Sequence, residues 1–289
     1  MATTDIIIRS FEWADVSLLA TLQHSDTADV DRWLRQSNLA PEQECVLAEV
    51  GGETVGYGYL IVEQALSRGV LVAEADNQAV LNALVTDASA KAEGLGLSVL
   101  QMDVPEGDEK RSSVCKAVGM SIIRVHLHLI RPGAEPTRVT LPAGTATRLA
   151  TRADVGTVTA IQNAAFTGSW GYSPNREEEL DYRIFELPAN APDAVVIVTI
   201  NGHDVGYCWT HQERANSPGM VDMVGVLPEW QGNGLGKLVT SVGIDHLISI
   251  GATPLEITVD SKNESAIHVY ESLGFQLERR SVWYERVLS

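Results

Sequence analysis

Val224-Gly-Val-Leu-Pro-Glu-Trp-Gln-Gly-Asn-Gly-Leu-Gly-Lys-Leu238 decides the reading of this chain. An apolar run gives way to Pro228, and glycines follow at 232, 234 and 236. Leu235, Leu238, Val239, Val242 and Leu247 then recur at roughly helical spacing until Gly251. The pattern predicts a strand, a glycine turn and a helix in succession. Glycines at such a junction let the backbone turn tightly and approach a ligand with no Cβ in the way. Their amides, with the N-terminus of the following helix, form a nest for an anion. A dinucleotide-binding fold is the competing reading, and a plain glycine-rich turn is the bland one. Against the dinucleotide fold stand the missing third glycine at its fingerprint spacing and the lack of an acidic residue capping a following parallel strand.

Working outward, an apolar strand is expected over 194–200, a hairpin turn at Asn201-Gly202, and the return strand over 204–211. A strand over 220–226 leads into the glycine turn. After the helix come a strand over 255–259, a helix over 265–273 ended by Gly274, and a closing strand over 281–287. The same plan occurs earlier in the chain. Glu53-Thr-Val-Gly-Tyr-Gly-Tyr59 is echoed by His203-Asp-Val-Gly-Tyr-Cys-Trp209, and Val114-Cys-Lys-Ala-Val-Gly-Met120 by Val269-Tyr-Glu-Ser-Leu-Gly-Phe275. Arg9-Ser-Phe-Glu-Trp-Ala-Asp-Val16 parallels Arg148-Leu-Ala-Thr-Arg-Ala-Asp-Val155. Three echoes at a similar offset point to a tandem duplication. A stretch dense in Pro and Gly separates the copies, so domains are expected at 1–132 and 146–289, with a linker over 133–145.

With 289 residues, 45% hydrophobic and 20% charged, the chain has the composition of a folded protein with room for two cores. Its formal charge of −17 opposes nucleic-acid and anionic-membrane partners, which need positive surface to displace counterions. The same field repels a polyanion at long range, so a phosphate site here must work through backbone amides and a helix dipole. The first nine residues show no basic segment followed by an apolar one, and no run approaches the roughly 18 apolar residues of a membrane span. A cytoplasmic protein is expected. Cys45, Cys115 and Cys208 lie far apart without CxxC spacing, which predicts core positions and no metal or disulfide.

Around the glycine turn the residues resemble the GNAT family of N-acetyltransferases, whose motif Q/R-x-x-G-x-G/A follows a strand ending in an apolar residue and Pro. Gln231, Gly234 and Gly236 fill that motif, with Val226 and Pro228 before it. Asn263, Ala266, Tyr270, Leu273, Gly274 and Phe275 fit a second block, N-x-x-A-x-x-x-Y-x-x-x-G-F. The resemblance implies an α+β fold of two tandem domains, each a mixed, largely antiparallel central sheet flanked by helices. It also implies an acyl-CoA-dependent N-acyltransferase, with acetyl-CoA as donor and the primary amine of a small molecule as acceptor. In that family's terms the strand through Val224 and Val226 carries a bulge that frees backbone groups for the pantetheine arm. After Gln231, the amides of Gly232, Asn233, Gly234, Leu235, Gly236 and Lys237 take the pyrophosphate. An amide near Val226 polarises the thioester carbonyl, Asn263 hydrogen-bonds the cofactor arm, and Tyr270 protonates the leaving thiolate.

The acceptor amine must lose a proton before it attacks, because an ammonium has no lone pair. Family members often place a carboxylate on the strand before the loop. Strand alternation puts Met220, Asp222, Val224 and Val226 on one face; of the two positions where the resemblance places a base, Met220 occupies one and cannot serve and Asp222 occupies the other, so Asp222 is the expected base, directly or through water, with a satisfied or solvent-facing carboxylate as the alternative reading and His211 in reserve. Phe166, Trp170 and Tyr172 either line the acceptor pocket or pack beside a core. Aligning Leu84-Val-Thr86 with Leu238-Val-Thr240 sets Val80 and Asn82 opposite Gly234 and Gly236, while Cys115 stands where Tyr270 does. The N-terminal domain is therefore expected to be degenerate, keeping the fold without catalysis. A monomer or homodimer is expected, and a non-catalytic protein that binds or senses acyl-CoA is the alternative function.

Overall fold

The computed structural model describes residues 5–35, 39–187, 193–213 and 217–288, which form two compact units. One extends to Val125 and takes back the end of the chain from Ser281; the other is His126–Arg280. Among the described residues no helix is long and apolar enough to cross a membrane.

The first unit begins with β1 (Ile6–Ser10), α1 (Val16–Leu22), α2 (Thr27–Leu34), α3 (Pro41–Glu44), β2 (Cys45–Val50) and β3 (Glu53–Glu63). It continues through β4 (Arg68–Ala75), α4 (Gln78–Gly94), β5 (Val99–Pro105) and α5 (Glu109–Ala117) into β6 (Ser121–Arg131). β1 to β4 pair antiparallel in order, and β4 runs parallel to β5. The second unit carries β7 (Thr145–Leu149), α6 (Val155–Phe166), α7 (Glu177–Asp181), β8 (Ala194–Ile200), β9 (His203–His211) and β10 (Gly219–Val226). α8 (Leu235–Ser249), β11 (Leu255–Asp260) and α9 (Glu264–Ser272) follow, and the chain ends on β12 (Gln276–Val287). Here β7 to β10 are antiparallel in order, and β10 runs parallel to β11.

Each sheet is completed by a strand from the opposite half of the sequence. β11 pairs with β6 over His126 to Arg131, and β5 pairs with β12 over Ser281 to Val287. The compact units therefore differ from the expected 1–132 and 146–289 at both ends. Hydrogen bonding gives the reason: β5 and β11 each have a second edge of amides and carbonyls that must be satisfied. The strand after α5 serves the second unit, and the strand after α9 serves the first.

Helices cover both faces of each sheet. In the first unit α4 buries Val80, Leu81, Leu84 and Val85 against Leu100 and Met102, while α1 and α2 bury Leu19, Val30 and Leu34 against Leu47 and Tyr59. In the second, α8 buries Leu235, Leu238, Val239, Ile244 and Leu247 against β9 to β11, and α6 and α7 bury Val158, Ile161 and Leu180 under Tyr207 and Trp209. At about 1.5–3 kcal/mol per buried aliphatic side chain, the α8 seam outweighs the roughly 1 kcal/mol that each of its two glycines costs. Gly243 is required there, since a Cβ would collide with the Cys208 sulfur. Asn201 (φ +50) and Gly202 (φ +83) both adopt the left-handed conformation that a two-residue hairpin turn demands.

Candidate active site

The direction of β10 changes at Asp222. Its register against β9 slips between Val221, opposite Thr210, and Met223, opposite Trp209, which makes Asp222 the extra residue of a β-bulge. Parallel pairing with β11 stops at the same place: Val221 faces Ile257 and no further pair follows. Bulge and splay coincide. Leu227 donates its amide to Val205 O at 2.9 Å, and backbone groups in an antiparallel pair alternate between facing the partner and facing away. Val224 and Val226 therefore turn their backbone groups toward the splay. Gln231 Nε2 donates to Val226 O there at 2.9 Å. Among the described residues the Val224 amide and carbonyl and the Val226 amide meet no partner strand, an edge of the kind an amide-bearing chain can pair with.

The bulge also overturns the expected common face of Met220, Asp222, Val224 and Val226. Val221, Val224 and Val226 pack toward α8, whereas Met223 packs toward α6, because an inserted residue reverses the alternation.

Eight residues, 227–234, connect β10 to α8. Gly232 (φ +80) and Gly234 (φ +75) take the left-handed conformation, and Gly234 is the N-cap, with no side chain to cap the helix. The first donors of the helix are Lys237 and Leu238, both to Gly234 O, at 3.1 and 3.3 Å. The amides of residues 232–236 meet no acceptor among the described residues. Gly236 differs from its neighbours: its φ is not positive, and an added Cβ would meet nothing within 4 Å. Neither strain nor packing within the protein accounts for that glycine. Leu235 is 6% exposed, so only its amide can serve the site. Asn233 Nδ2 donates to Gln231 O at 3.3 Å and braces the turn, and Lys237 is half-buried beside it. The nest fits a pyrophosphate.

Asp260 ends β11, so the acidic residue read as absent from the sequence is present, its Oδ1 accepting the Lys262 amide at 2.9 Å. A single parallel pair in an otherwise antiparallel sheet excludes the doubly wound dinucleotide fold all the same.

On the other side of the bulge lies a charged cluster. Asp222 is crowded by protein, and this burial pushes its pKa up to about 6, with His211 and Arg183 pulling down and Asp193 pushing up. Water still reaches the exposed side chain, which screens part of that penalty. Asp193 accepts from Trp209 Nε1 on one oxygen and from His211 Nδ1 on the other, each at 2.8 Å. Its amide donates to Ile184 O at 3.0 Å, inside a π-helical turn, Tyr182–Glu186; such turns recur at functional sites. Arg183 of that turn lies 5.0 Å over the Trp209 ring. The Asp193 hydrogen bond raises the pKa of His211 against the effect of burial. Sequence reading missed Asp193 and Arg183, which sit in a loop and an irregular turn and carry no motif. Phe166 and Tyr172 pack on each other at 5.6 Å, and Trp170 packs on His126 at 6.2 Å.

Tyr270 lies on α9 in the same apolar cluster as Val224, with its ring 6.1 Å from Phe275. Burial, and then the neighbouring Cys208, raise its pKa well above the usual phenol range, so it is protonated at neutral pH, the state an acid needs. Burial, and then the charge of Asp222, raise the pKa of the buried Cys208 thiol. Asn263 caps α9: its Oδ1 accepts from the Ala266 amide at 3.2 Å and the Ser265 hydroxyl at 3.1 Å, leaving only Nδ2 for a ligand. Burial pushes the Cys45 and Cys115 thiols up to about 12 and 11, which makes them core groups rather than nucleophiles. A cavity of about 520 Å³ opens beside the C-terminal half of α8, lined by Leu141, Leu149, Val242 and His246 among others; neither the loop nor the splay contributes to it.

The first unit shows what a closed version looks like. Only residues 76–77 separate β4 from α4. Asn77 holds the N-cap and its Oδ1 accepts from the Ala79 amide at 2.7 Å, so Asn77, not Val80, corresponds to Gly234. The expected alignment shifts by three residues, and the whole loop is missing rather than merely its glycines. β4 and β5 also part after Val70. Into that gap Lys110 donates to Ala75 O and Asp76 O at 2.9 and 3.1 Å, and Arg111 Nε donates to Ala73 O at 3.4 Å while its guanidinium pairs with Asp108 and Glu74. Counted from the N-caps Asp108 and Asn263, the corresponding positions on α9 are Ser265 and Ala266. A methyl group leaves one splay open where an arginine fills the other.

Residues 157–275 match the acetyltransferase (GNAT) family. A mycothiol acetyltransferase of Tsukamurella paurometabola is 31% identical over 254 residues, covering 79% of this chain and 85% of the relative. Another, from Streptomyces griseus, is 31% identical over 182 residues, where this chain spans 62% of itself and 59% of the relative's length. Among solved structures, a tandem GNAT protein from the clavulanic acid biosynthesis pathway has a TM-score of 0.75, covering 98% of both chains at 16% identity, a likeness of fold. Identity of 31% across 79% of this chain reaches well beyond one loop, and the chain belongs to the GNAT family of N-acetyltransferases.

Proposed function

We propose that this enzyme moves the acetyl group of acetyl-CoA to the primary amine of a small molecule by direct attack, with no covalent enzyme intermediate. The observation that supports this most is the meeting, in one unit, of five free amides at residues 232–236 with an open strand edge at Val224 and Val226. The first suits a pyrophosphate; the second suits the amide-bearing arm attached to it. Acetyl-CoA supplies an activated thioester when bound, and the rest falls to the chain. The amides of residues 232–236 and the helix dipole hold the diphosphate, with Lys237 as the adjacent cation, as the net charge of −17 requires. Gln231 ties the loop to Val226, whose amide is free to polarise a carbonyl. Asn263 offers Nδ2 to the arm. Asp222 draws the ammonium of the acceptor and takes the first of the two protons it must lose, and Tyr270 holds the proton that a leaving thiolate needs.

Both relatives are named for mycothiol, so an acceptor of that type is the first to test. Calorimetric titration with acetyl-CoA is expected to show one site per chain, and thiol release from acetyl-CoA is expected to depend on the amine offered. No binding of acetyl-CoA or CoA sinks the proposal. Binding without amine-dependent release across a broad panel leaves the sensing alternative instead.

A further inference from the structure

His211 stands opposite Met220 in the β9–β10 ladder, two residues before the bulged Asp222. Its Nδ1–H donates to Asp193, a carboxylate only 10% exposed, while the imidazole itself is 37% exposed. Asp193 is held in turn by the Trp209 indole and by its amide on Ile184. A buried acceptor fixed at both oxygens thus orients a ring that opens to solvent beside the bulge. With the proton on Nδ1, the neutral ring keeps its lone pair on Nε2. The charged groups facing this ring are Asp193 ahead of β8, Asp222 on β10 and Glu213 just past β9; Arg183 acts on Asp222 from the π-helical turn. All three carboxylates favour a proton on the imidazole.

This inference rests on the acetyltransferase reading. We propose that the second proton, leaving the acceptor nitrogen as it bonds to the acyl carbon, comes to rest on Nε2 of His211, with Asp193 as the positioning residue that fixes the tautomer and Asp222 as the carboxylate that draws the ammonium in and takes its first proton. The ammonium loses its first proton to Asp222, which passes it to water; the neutral amine nitrogen then bonds to the acyl carbon and a second N–H bond breaks toward His211. The carbon–sulfur bond breaks with its electron pair on sulfur, which takes the phenolic proton of Tyr270. His211 returns its proton to water and the Tyr270 phenolate regains one, so the enzyme ends as it began, while Asp193 stays anionic throughout. The imidazolium cannot accept, so kcat/KM rises with pH through the His211 titration.

The experiment uses the full chain, acetyl-CoA and the best amine of the panel. His211→Gln is expected to lower kcat about 100-fold, with acetyl-CoA affinity retained as evidence of folding. Asp193→Asn is expected to lower kcat at least about tenfold and to move the acid limb of kcat/KM downward by on the order of one pH unit. Asp193→Glu restores part of the rate, and added imidazole restores turnover to His211→Ala. The proposal is overturned if both the rate and the acid limb survive Asp193→Asn and His211→Gln. It is equally overturned if activity falls with no movement of the limb and no rescue, since the pair is then a structural brace. A wild-type chain that binds acetyl-CoA and transfers to no amine refutes the acetyltransferase reading itself, a distinct result.

Discussion

Gly236→Ala separates what the fold needs from what the ligand needs. The residue has helical backbone, and a methyl group there would touch nothing within 4 Å, so alanine is free to replace glycine in the unliganded chain. Alanine is favoured over glycine in a helix by about 0.5–1 kcal/mol; the first turn is taken at the lower end. For a chain of this size, about 0.5 kcal/mol corresponds to a gain of roughly 1–2 °C in the unfolding midpoint. The same methyl group holds a phosphate away from the amides of residues 232–236. Losing one charge-assisted hydrogen bond costs about 1.5–3 kcal/mol, which weakens binding roughly 10- to 150-fold. Thermal unfolding without ligand and calorimetric titration with CoA read the two effects separately. Gly225→Ala is the control: its Cβ would lie 2.5 Å from the Tyr207 ring, so it is expected to lose about 1–3 kcal/mol of stability through overpacking. A Gly236→Ala protein that is less stable than the parent, or that binds CoA within about twofold of it, refutes the assignment of this glycine to the ligand.

Tyr270→Phe is expected to lower kcat about 100-fold with little change in KM. Its hydroxyl has no hydrogen-bond partner among the described residues, so stability should move by no more than about 0.5 kcal/mol; an unchanged kcat removes Tyr270 from the mechanism. Asp222 has a folded pKa of about 6, above the ordinary 3.8, so its contribution to stability is present at low pH and lost as pH rises from about 4 to 6. Asp222→Asn is accordingly expected to melt higher than the parent at pH 8, with the gap closing by pH 4, and a lower midpoint at pH 8 contradicts the raised pKa. Ala266→Arg copies the first unit's Arg111 and is expected to abolish CoA binding while the chain stays folded; unchanged titration would show that the splay is not the cleft.

The fold was legible wherever local geometry leaves a residue-level mark. Asn201-Gly202 is a turn because both residues need positive φ, and the helix expected over 235–250 is observed as Leu235–Ser249, stopped by Gly251 at φ +83. The exchange of β6 and β12 left no such mark. Gln101 Nε2 donates to Glu285 Oε2 at 2.6 Å, but nothing local to either residue foretells that partner. An edge of β5 or β11 accepts any antiparallel strand of suitable length, and both closing strands qualify. The shared face on β10 failed for a related reason: period-two reasoning assumes an unbroken pleat, and the inserted Asp222 breaks it.

The glycine loop marked a candidate site in the sequence because an anion nest can be built from few residue types, whereas Asp193 became visible only when the fold brought it to His211 and Trp209. The first unit misled in an instructive way. Sliding two helices by three residues keeps apolar positions on nearly the same face, so Leu84-Val-Thr86 matched Leu238-Val-Thr240 although the N-caps place Asn77 opposite Gly234. The informative contrast was shorter: Lys110-Arg111 against Ser265-Ala266. A strand edge parted from its neighbour exposes carbonyls that need donors. In the first unit basic side chains supply them; in the second the position is small and supplies none. The loop and the open edge are absent together from the first unit, as the proposed reading expects of two features that each hold part of one ligand.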